Sequence, residues 1–386
     1  MSPALATEDL VVDRQLAEIS EKFRFLLDLT PVNAREARER FLASADEEPE
    51  FQYRTLEDEP EVLRAEVAAV DVESVADHTL AHLVQAKRRE LDLQIEMLAT
   101  RGTSEFRALA IDLYGTVSPA LLTEAEALLR ALDGATPPSS DCLGAKEMAR
   151  VAEQELDHYR DLAPDLSAHV EIRADVAGVM VANGDLLISP AARVSRSRVG
   201  ALLQHEIGTH VLTYVNGCHQ PLRLLAAGLA GYEETQEGLA LFAEWLCGGL
   251  TPARLRQVAA RVVAVHRMVE GETFRNVHDE LVATGFSPTG AFAVTMRVFR
   301  SGGLTKDLVY LRGLADIVSH VHARNDLDVL WLGKMPLTAV PLLEELRDRS
   351  AVAEPLLRPR YLDEPSTARR LARLEHAATV LDLLEG

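Results

Sequence analysis

Two short segments carry the residue types that hold a metal ion and move a proton. The first, Gln204-His205-Glu206-Ile207-Gly208-Thr209-His210, sets two histidines five residues apart with a glutamate directly after the first. The second, Tyr232-Glu233-Glu234-Thr235-Gln236-Glu237-Gly238-Leu239-Ala240, places three carboxylates at the start of another helical stretch. Imidazole nitrogens and a carboxylate oxygen are the donors of catalytic zinc sites, which use three protein ligands and keep a fourth position for water. In the commoner HExxH arrangement the histidines sit about 40° apart around a helix, whereas a spacing of five puts them about 140° apart. So either the two histidines are unrelated or the helix is locally widened. A π-bulge admits one extra residue per turn, and Gly208, which costs a helix about 1 kcal/mol, makes that distortion cheaper. A straight α-helix here would rule out a shared ion. Glu233, Glu234 and Glu237 have a plainer explanation too, because acids in a first helical turn are favoured by the macrodipole.

These segments need elements to position them. From about residue 10 to 130 apolar residues recur at three- and four-residue steps, as in Leu16, Ile19, Phe23 and Leu27, which predicts helices. The run Asp133-Gly134-Ala135-Thr136-Pro137-Pro138-Ser139-Ser140-Asp141 is rich in breakers and reads as a boundary loop. It divides a helical N-terminal region, residues 1–140, from a catalytic domain, residues 141–386, whose C-terminal part is again helical. A helix is expected over 144–162. His169–Ala174 and Gly178–Ser189 then read as strands, the second folded into a hairpin at Asn183-Gly184, a pair suited to a type I′ turn. The expectation is α+β, mainly helical, with a small antiparallel sheet of about three strands beside the metal-binding helix, which runs from about Ser195 to Tyr214.

The chain has 386 residues, 60 Asp and Glu against 40 Lys and Arg, and a net charge of −20. That balance disfavours nucleic acid and anionic membranes, which are gripped by clustered bases. The surplus is uneven: residues 251–386 hold 17 acids and 18 bases. With no signal-like N-terminus and no long apolar run, the expected location is cytoplasmic. Cys142, Cys218 and Cys247 are at unrelated spacings and suggest neither disulfides nor a metal knuckle.

Taken together, HEIGTH (205–210) and QEGLA (236–240), with Val215-Asn216-Gly217 and Gln220-Pro221 between them and Lys306-Asp307-Leu308-Val309-Tyr310-Leu311-Arg312-Gly313 downstream, resemble the QEGLA-motif family. Its bacterial members are usually labelled flavohaemoglobin-expression modulators, and its animal relatives are microtubule-associated tyrosine carboxypeptidases. The resemblance implies a zincin-like metallopeptidase with one zinc ion. It makes His205, His210 and Glu237 the ligands and Glu206 the catalytic base. Gln236 departs from the animal pattern, which has glutamate there. Tyr310, in the downstream segment beside Lys306, is a candidate oxyanion donor, although a core tyrosine with a satisfied hydroxyl is the plainer reading. A carboxypeptidase also needs a cation for the terminal carboxylate, and Arg297, Arg300, Arg312 and Lys306 are the candidates. In zincins generally an edge strand before the metal helix pairs with extended substrate, and the 178–189 hairpin occupies that sequence position.

The expected activity is therefore removal of C-terminal residues from a peptide or protein tail. An endopeptidase or aminopeptidase on the same zinc is the nearest alternative. A regulatory protein with structural zinc is another, and it would call for a fourth ligand, for which Cys218 and His219 are the residues to watch. His158, His266 and His278 read as structural. An acidic tubulin-like tail would be repelled by a charge of −20 unless the cleft gathers the bases of the balanced C-terminal third, so a neutral or basic tail is the better expectation.

Overall fold

The helical periodicity of the first 130 residues folds into a stack of helices with shared apolar faces. The computed structural model describes residues 5–22, 24–44, 47–135, 141–176, 178–324, 327–374 and 379–384. Helix α1 (Thr7–Lys22) buries Val12, Leu16 and Ile19. Shorter helices at Ala34–Ala43 and Pro60–Ala69 lead to α2 (His78–Ala99), whose cap Asp77 accepts the Leu80 N–H at 2.9 Å. Next come α3 (Glu105–Tyr114) and α4 (Pro119–Ala131), the latter opening on a Ser118 cap with proline where no N–H is needed. The central residues of the expected boundary loop, 136–140, lie outside the described residues.

Five short strands flank the next helix: β1 (Cys142–Gly144), α5 (Ala145–Leu162), β2 (Val170–Ile172), β3 (Val179–Ala182), β4 (Asp185–Ile188) and β5 (Arg193–Ser195). The hairpin is present, with Asn183 at φ 51° and Gly184 at φ 85° forming its turn. Its tip packs on Tyr214; a Cβ on Gly184 would fall 2.5 Å from that ring. The sheet departs from expectation in one respect. Strand order is β2-β4-β3, and β2 runs parallel to β4, because the chain between them returns along the β3 side before the hairpin begins. A second antiparallel pair, β1 with β5, went unread in the sequence because three residues are too few to show alternation.

The metal-helix candidate is continuous from α6 (Val199–His205) through a turn at Glu206–Val211 into α7 (Leu212–Cys218). Helix α8 (Tyr232–Leu246) is buried on all sides from Gly238 to Leu246, so it forms the centre of the molecule. Around it lie α9 (Pro252–Val269), α10 (Phe274–Ala283), α11 (Pro288–Phe299), α12 (Val309–Arg324), α13 (Val340–Asp348) and α14 (Pro365–Arg373). α8 crosses α12 at two glycines: a Cβ on Gly238 would meet the Gly313 carbonyl carbon at 2.2 Å, and one on Gly313 would meet the Glu234 oxygen at 2.1 Å. Only glycines allow that approach, and it sets Tyr310 against Glu237. One apolar cluster runs from Val12 to Leu383 and includes residues on both sides of position 140. Among the described residues no helix is long and apolar enough to cross a membrane.

Candidate metal centre

The spacing of five is resolved by a π-helical turn over Glu206–Val211, the widening that two histidines facing one ion require. Neighbouring groups support it. The Thr209 hydroxyl donates to the Gln204 carbonyl five residues back at 3.1 Å, and the buried Trp331 indole donates to the Gly208 carbonyl at 3.2 Å. Gly208 serves close packing as well: a Cβ there would lie 2.5 Å from Gln204 Oε1 and 3.2 Å from the Tyr361 ring. The two imidazoles come to 5.2 Å between centroids.

Glu237, from α8, completes the group. Among the described residues His205, His210 and Glu237 form the cluster able to hold a metal ion, with ligand atoms all within 4.8 Å of one another. Neither Cys218 nor His219 belongs to it; the His219 ring is hydrogen-bonded to the Val215 carbonyl at 2.8 Å. Each of the three is also held from behind. His205 Nδ1 is 2.9 Å from Glu244 Oε1, which leaves Nε2, 3.9 Å from Glu237 Oε2, for the ion. His210 Nδ1 lies a longer 3.4 Å from Gln236 Oε1, an oxygen fixed in turn by the Thr213 hydroxyl at 2.8 Å. Glu237 Oε1 accepts from the Tyr310 hydroxyl at 3.0 Å and faces Lys306 Nζ at 3.5 Å. Metal-binding histidines and carboxylates need such partners, which fix tautomer and orientation. The donor set and its supports therefore fit a divalent ion.

Electrostatics separates the carboxylates. Burial pushes the Glu206 carboxyl up to about 7, only partly opposed by His205. Its side chain has no hydrogen bond or ion pair among the described residues. Burial acts on Glu237 in the same direction, but Lys306, the two histidines and the Tyr310 hydroxyl outweigh it and hold the group near about 2. Glu244 is likewise held at about 2, its burial offset by His205, Arg254 and Arg198. These groups lie one beside another, yet only Glu206 is left unpaired.

The remaining candidates fall into two sets. Tyr310 and Lys306 stand against Glu237, and Lys306 also faces Glu233 at 3.3 Å. The arginines are occupied: Arg297 binds Asp307 through two bonds of 2.7 and 2.6 Å, Arg300 donates to Thr30 at 2.9 Å, and Arg312 binds Glu234 and the Tyr114 carbonyl. His158, His266 and His278 lie outside the cluster. The sequence reading missed Glu244, although a signal was available: it is seven residues, two helical turns, beyond Glu237 on the same face. Trp331 carried no such signal, since its role depends on a contact 123 residues away.

A family model described as microtubule-associated tyrosine carboxypeptidase matches residues 39–379. The chain belongs to that family. As a member of the microtubule-associated tyrosine carboxypeptidase family, it carries within the matched span the π turn, the three clustered donors and the glycine crossing of α8 with α12. No individual curated protein is significantly similar to it. A crystal structure from Colwellia psychrerythraea, described as a lipoprotein, aligns with this family member at a TM-score of 0.46 and 14% identity, over 82% of this chain and 69% of its own.

Proposed function

We propose that the protein is a zinc-dependent carboxypeptidase that removes C-terminal residues from a peptide or protein tail, with His205, His210 and Glu237 as ligands of one zinc ion and Glu206 as general base. The observation that carries this is the convergence of three ligand atoms within 4.8 Å, each ligand supported from behind, next to a buried carboxylate with no partner. Two nitrogens and one oxygen with an open fourth position is the donor pattern of hydrolytic rather than structural zinc. When bound, such an ion polarises the scissile carbonyl and brings the pKa of a coordinated water to about 7.

The protein's own groups supply the rest. Glu206 accepts the proton of the attacking water on its carboxylate and hands it to the departing amine nitrogen. Glu244 and Gln236 hold the imidazoles in the tautomers that leave Nε2 free. Tyr310 and Lys306 hold Oε1 of Glu237 and leave Oε2 for the ion; with its hydroxyl donating to Glu237, Tyr310 is a positioning residue, and serving an oxyanion would require releasing that bond. Strand β3 is an outer strand of its sheet, with no strand paired on its far side among the described residues, which supports a zincin-like docking of extended substrate there.

The test is mass spectrometry of a peptide library with mixed C-termini, each also prepared as the amide, incubated with zinc-loaded wild type and Glu206→Gln. Expected are losses of single C-terminal residues from free acids, abolished in Glu206→Gln although that variant still binds one zinc. Identical product lists from the two proteins remove the enzyme, and equal cleavage of the amides selects an endopeptidase or aminopeptidase.

A further inference from the structure

A cavity of about 470 Å³ begins one helical turn from the metal centre, and its lining includes charges with no hydrogen-bond partner among the described residues. Its lining includes Tyr214, four residues after His210, and Glu233, four residues before Glu237. Residues so spaced on a helix are about 5–6 Å apart, so the cavity begins one turn from the ion on two helices. Strand β3 forms another wall.

Most of the charges here are matched. Lys87 pairs with Glu90 at 2.7 Å, Arg173 with Asp175 at 2.6 Å, and Glu233 with Lys306 at 3.3 Å and the Tyr114 hydroxyl at 2.8 Å. Two are not. Lys334 Nζ sits between aromatic faces, 5.0 Å from the Tyr214 centroid and 5.8 Å from that of Tyr232, with no hydrogen-bond acceptor and no carboxylate within 4.0 Å among the described residues. Burial pushes its ammonium down to about 8, opposed by the pull of Glu21, so it remains charged at neutral pH. Glu21, in the same lining, has a buried carboxylate oxygen with no hydrogen-bond partner.

A half-buried ammonium with no hydrogen-bond acceptor at hand is open to a ligand that supplies one. We propose that this cavity receives the C-terminal residue of the substrate, with Lys334 binding the terminal carboxylate and Glu21 favouring a basic side chain. The inference rests on the carboxypeptidase reading and gives it a substrate class. One residue of extended chain carries the terminal carboxylate about 3.3–3.6 Å beyond the scissile carbonyl, and an ammonium adds a hydrogen-bond length of about 2.8 Å, a reach on the scale of the helical turn that separates Tyr214 from His210 and Glu233 from Glu237. The two tyrosine rings flank the ammonium and lower the local dielectric, which strengthens its attraction for an anion. An amidated terminus would enter without the charge and leave Lys334 unpaired, and sites built around a buried polar partner reject such analogues strongly.

The test compares kcat/KM for matched peptides ending in Lys, Leu or Glu, as free acids and as amides, in wild type, Lys334→Met, Lys334→Arg and Glu21→Gln, with zinc content and melting temperature measured for each. Wild type should prefer acids over amides by about 100-fold or more. Lys334→Met should reduce that ratio to within about tenfold at unchanged zinc content, Lys334→Arg should retain part of it, and Glu21→Gln should lose the preference for Lys while keeping the acid-to-amide ratio. Independently, calorimetry should show free lysine binding to zinc-loaded Glu206→Gln and not to the same protein carrying Lys334→Met. An acid-to-amide ratio unaffected by Lys334→Met overturns the inference while leaving the carboxypeptidase intact. If wild type cuts no peptide, the activity itself fails, and the calorimetric comparison alone decides whether Lys334 holds a carboxylate.

Discussion

Glu244→Gln isolates what the support behind a ligand contributes. The Glu244 carboxylate is fully buried, 2.9 Å from His205 Nδ1, 2.8 Å from Arg198 and 3.6 Å from Arg254. Glutamine keeps the shape and an acceptor oxygen but removes the charge, and it turns an amide N–H₂ toward one of the two cations. Breaking a fully buried ion pair from one side costs about 3–5 kcal/mol; Arg198 keeps 23% of its side chain exposed, so water relieves part of this and roughly 2–3 kcal/mol is expected. The effect on the metal is separable. Partners of metal-bound histidines are worth 10–100-fold in affinity, or about 1.4–2.7 kcal/mol. Competition against a chromophoric chelator should show zinc binding weakened by that factor, while denaturant melts of the apoprotein report the stability loss. Arg198→Met is the matched control: it should destabilise the fold yet leave zinc affinity within about threefold, because the His205–Glu244 bond survives. Equal zinc affinity in folded Glu244→Gln and wild type would refute the view that Glu244 tunes the site.

Three further outcomes follow from particular contacts. Gly238→Ala puts a methyl 2.2 Å from the Gly313 backbone, so α8 and α12 must separate; apoprotein melts should show a loss of about 3 kcal/mol or more, and zinc affinity should fall with it because the Tyr310–Glu237 bond spans that crossing. An unchanged melt would show that the crossing is not close. Burial pushes Asp13 up to about 6 although it accepts the N–H groups of Arg223 and Leu224. The folded state therefore holds this proton more tightly than the unfolded chain, and stability should fall by up to roughly 3 kcal/mol as pH rises from about 4 to above 6. Asp13→Asn should flatten that part of the pH–stability curve, and an unaltered curve would show that another group produces it. Finally, raising salt from about 20 to 500 mM should increase kcat/KM for acidic-tailed peptides and leave neutral ones nearly unchanged, with equal salt responses excluding long-range repulsion.

How much was legible depended on whether the cause was local. The helices, the Asn183-Gly184 hairpin and the π turn each follow from a few adjacent residues: periodicity, a positive-φ pair, a spacing of five around a glycine. The parallel placement of β2 against β4 did not, since nothing within His169–Ala174 encodes the direction of its partner. The same division runs through the site. His205, His210 and Glu237 stand out by type and spacing, whereas the occupation of Arg297 by Asp307, ten residues on, and of Arg300 by Thr30, in a remote helical region, depends on packing. Lys334 was invisible for the opposite reason: it is an unremarkable residue in sequence, and only the two tyrosines around it and the missing carboxylate distinguish it.

The net charge of −20 takes on a different meaning once these contacts are seen. The cations that could have drawn an acidic tail are largely engaged inside: Lys306 with Glu233 and Glu237, Arg297 with Asp307, Arg198 with Glu244. Arg261, by contrast, is buried over the Tyr310 ring at 4.7 Å with its Nε unpartnered. Charges more than about 8 Å away are largely screened at physiological salt, so the surplus of acids acts on the approach of a substrate more than on its grip in the site. In the proposed binding mode grip falls to Lys334 and Glu21, which have no hydrogen-bond partner among the described residues, and that pair would suit a terminal carboxylate carried on a basic residue better than a run of glutamates. A surface that slows acidic chains and a cavity whose unpaired cation, among the described residues, lies with unpaired acids would thus select in the same direction.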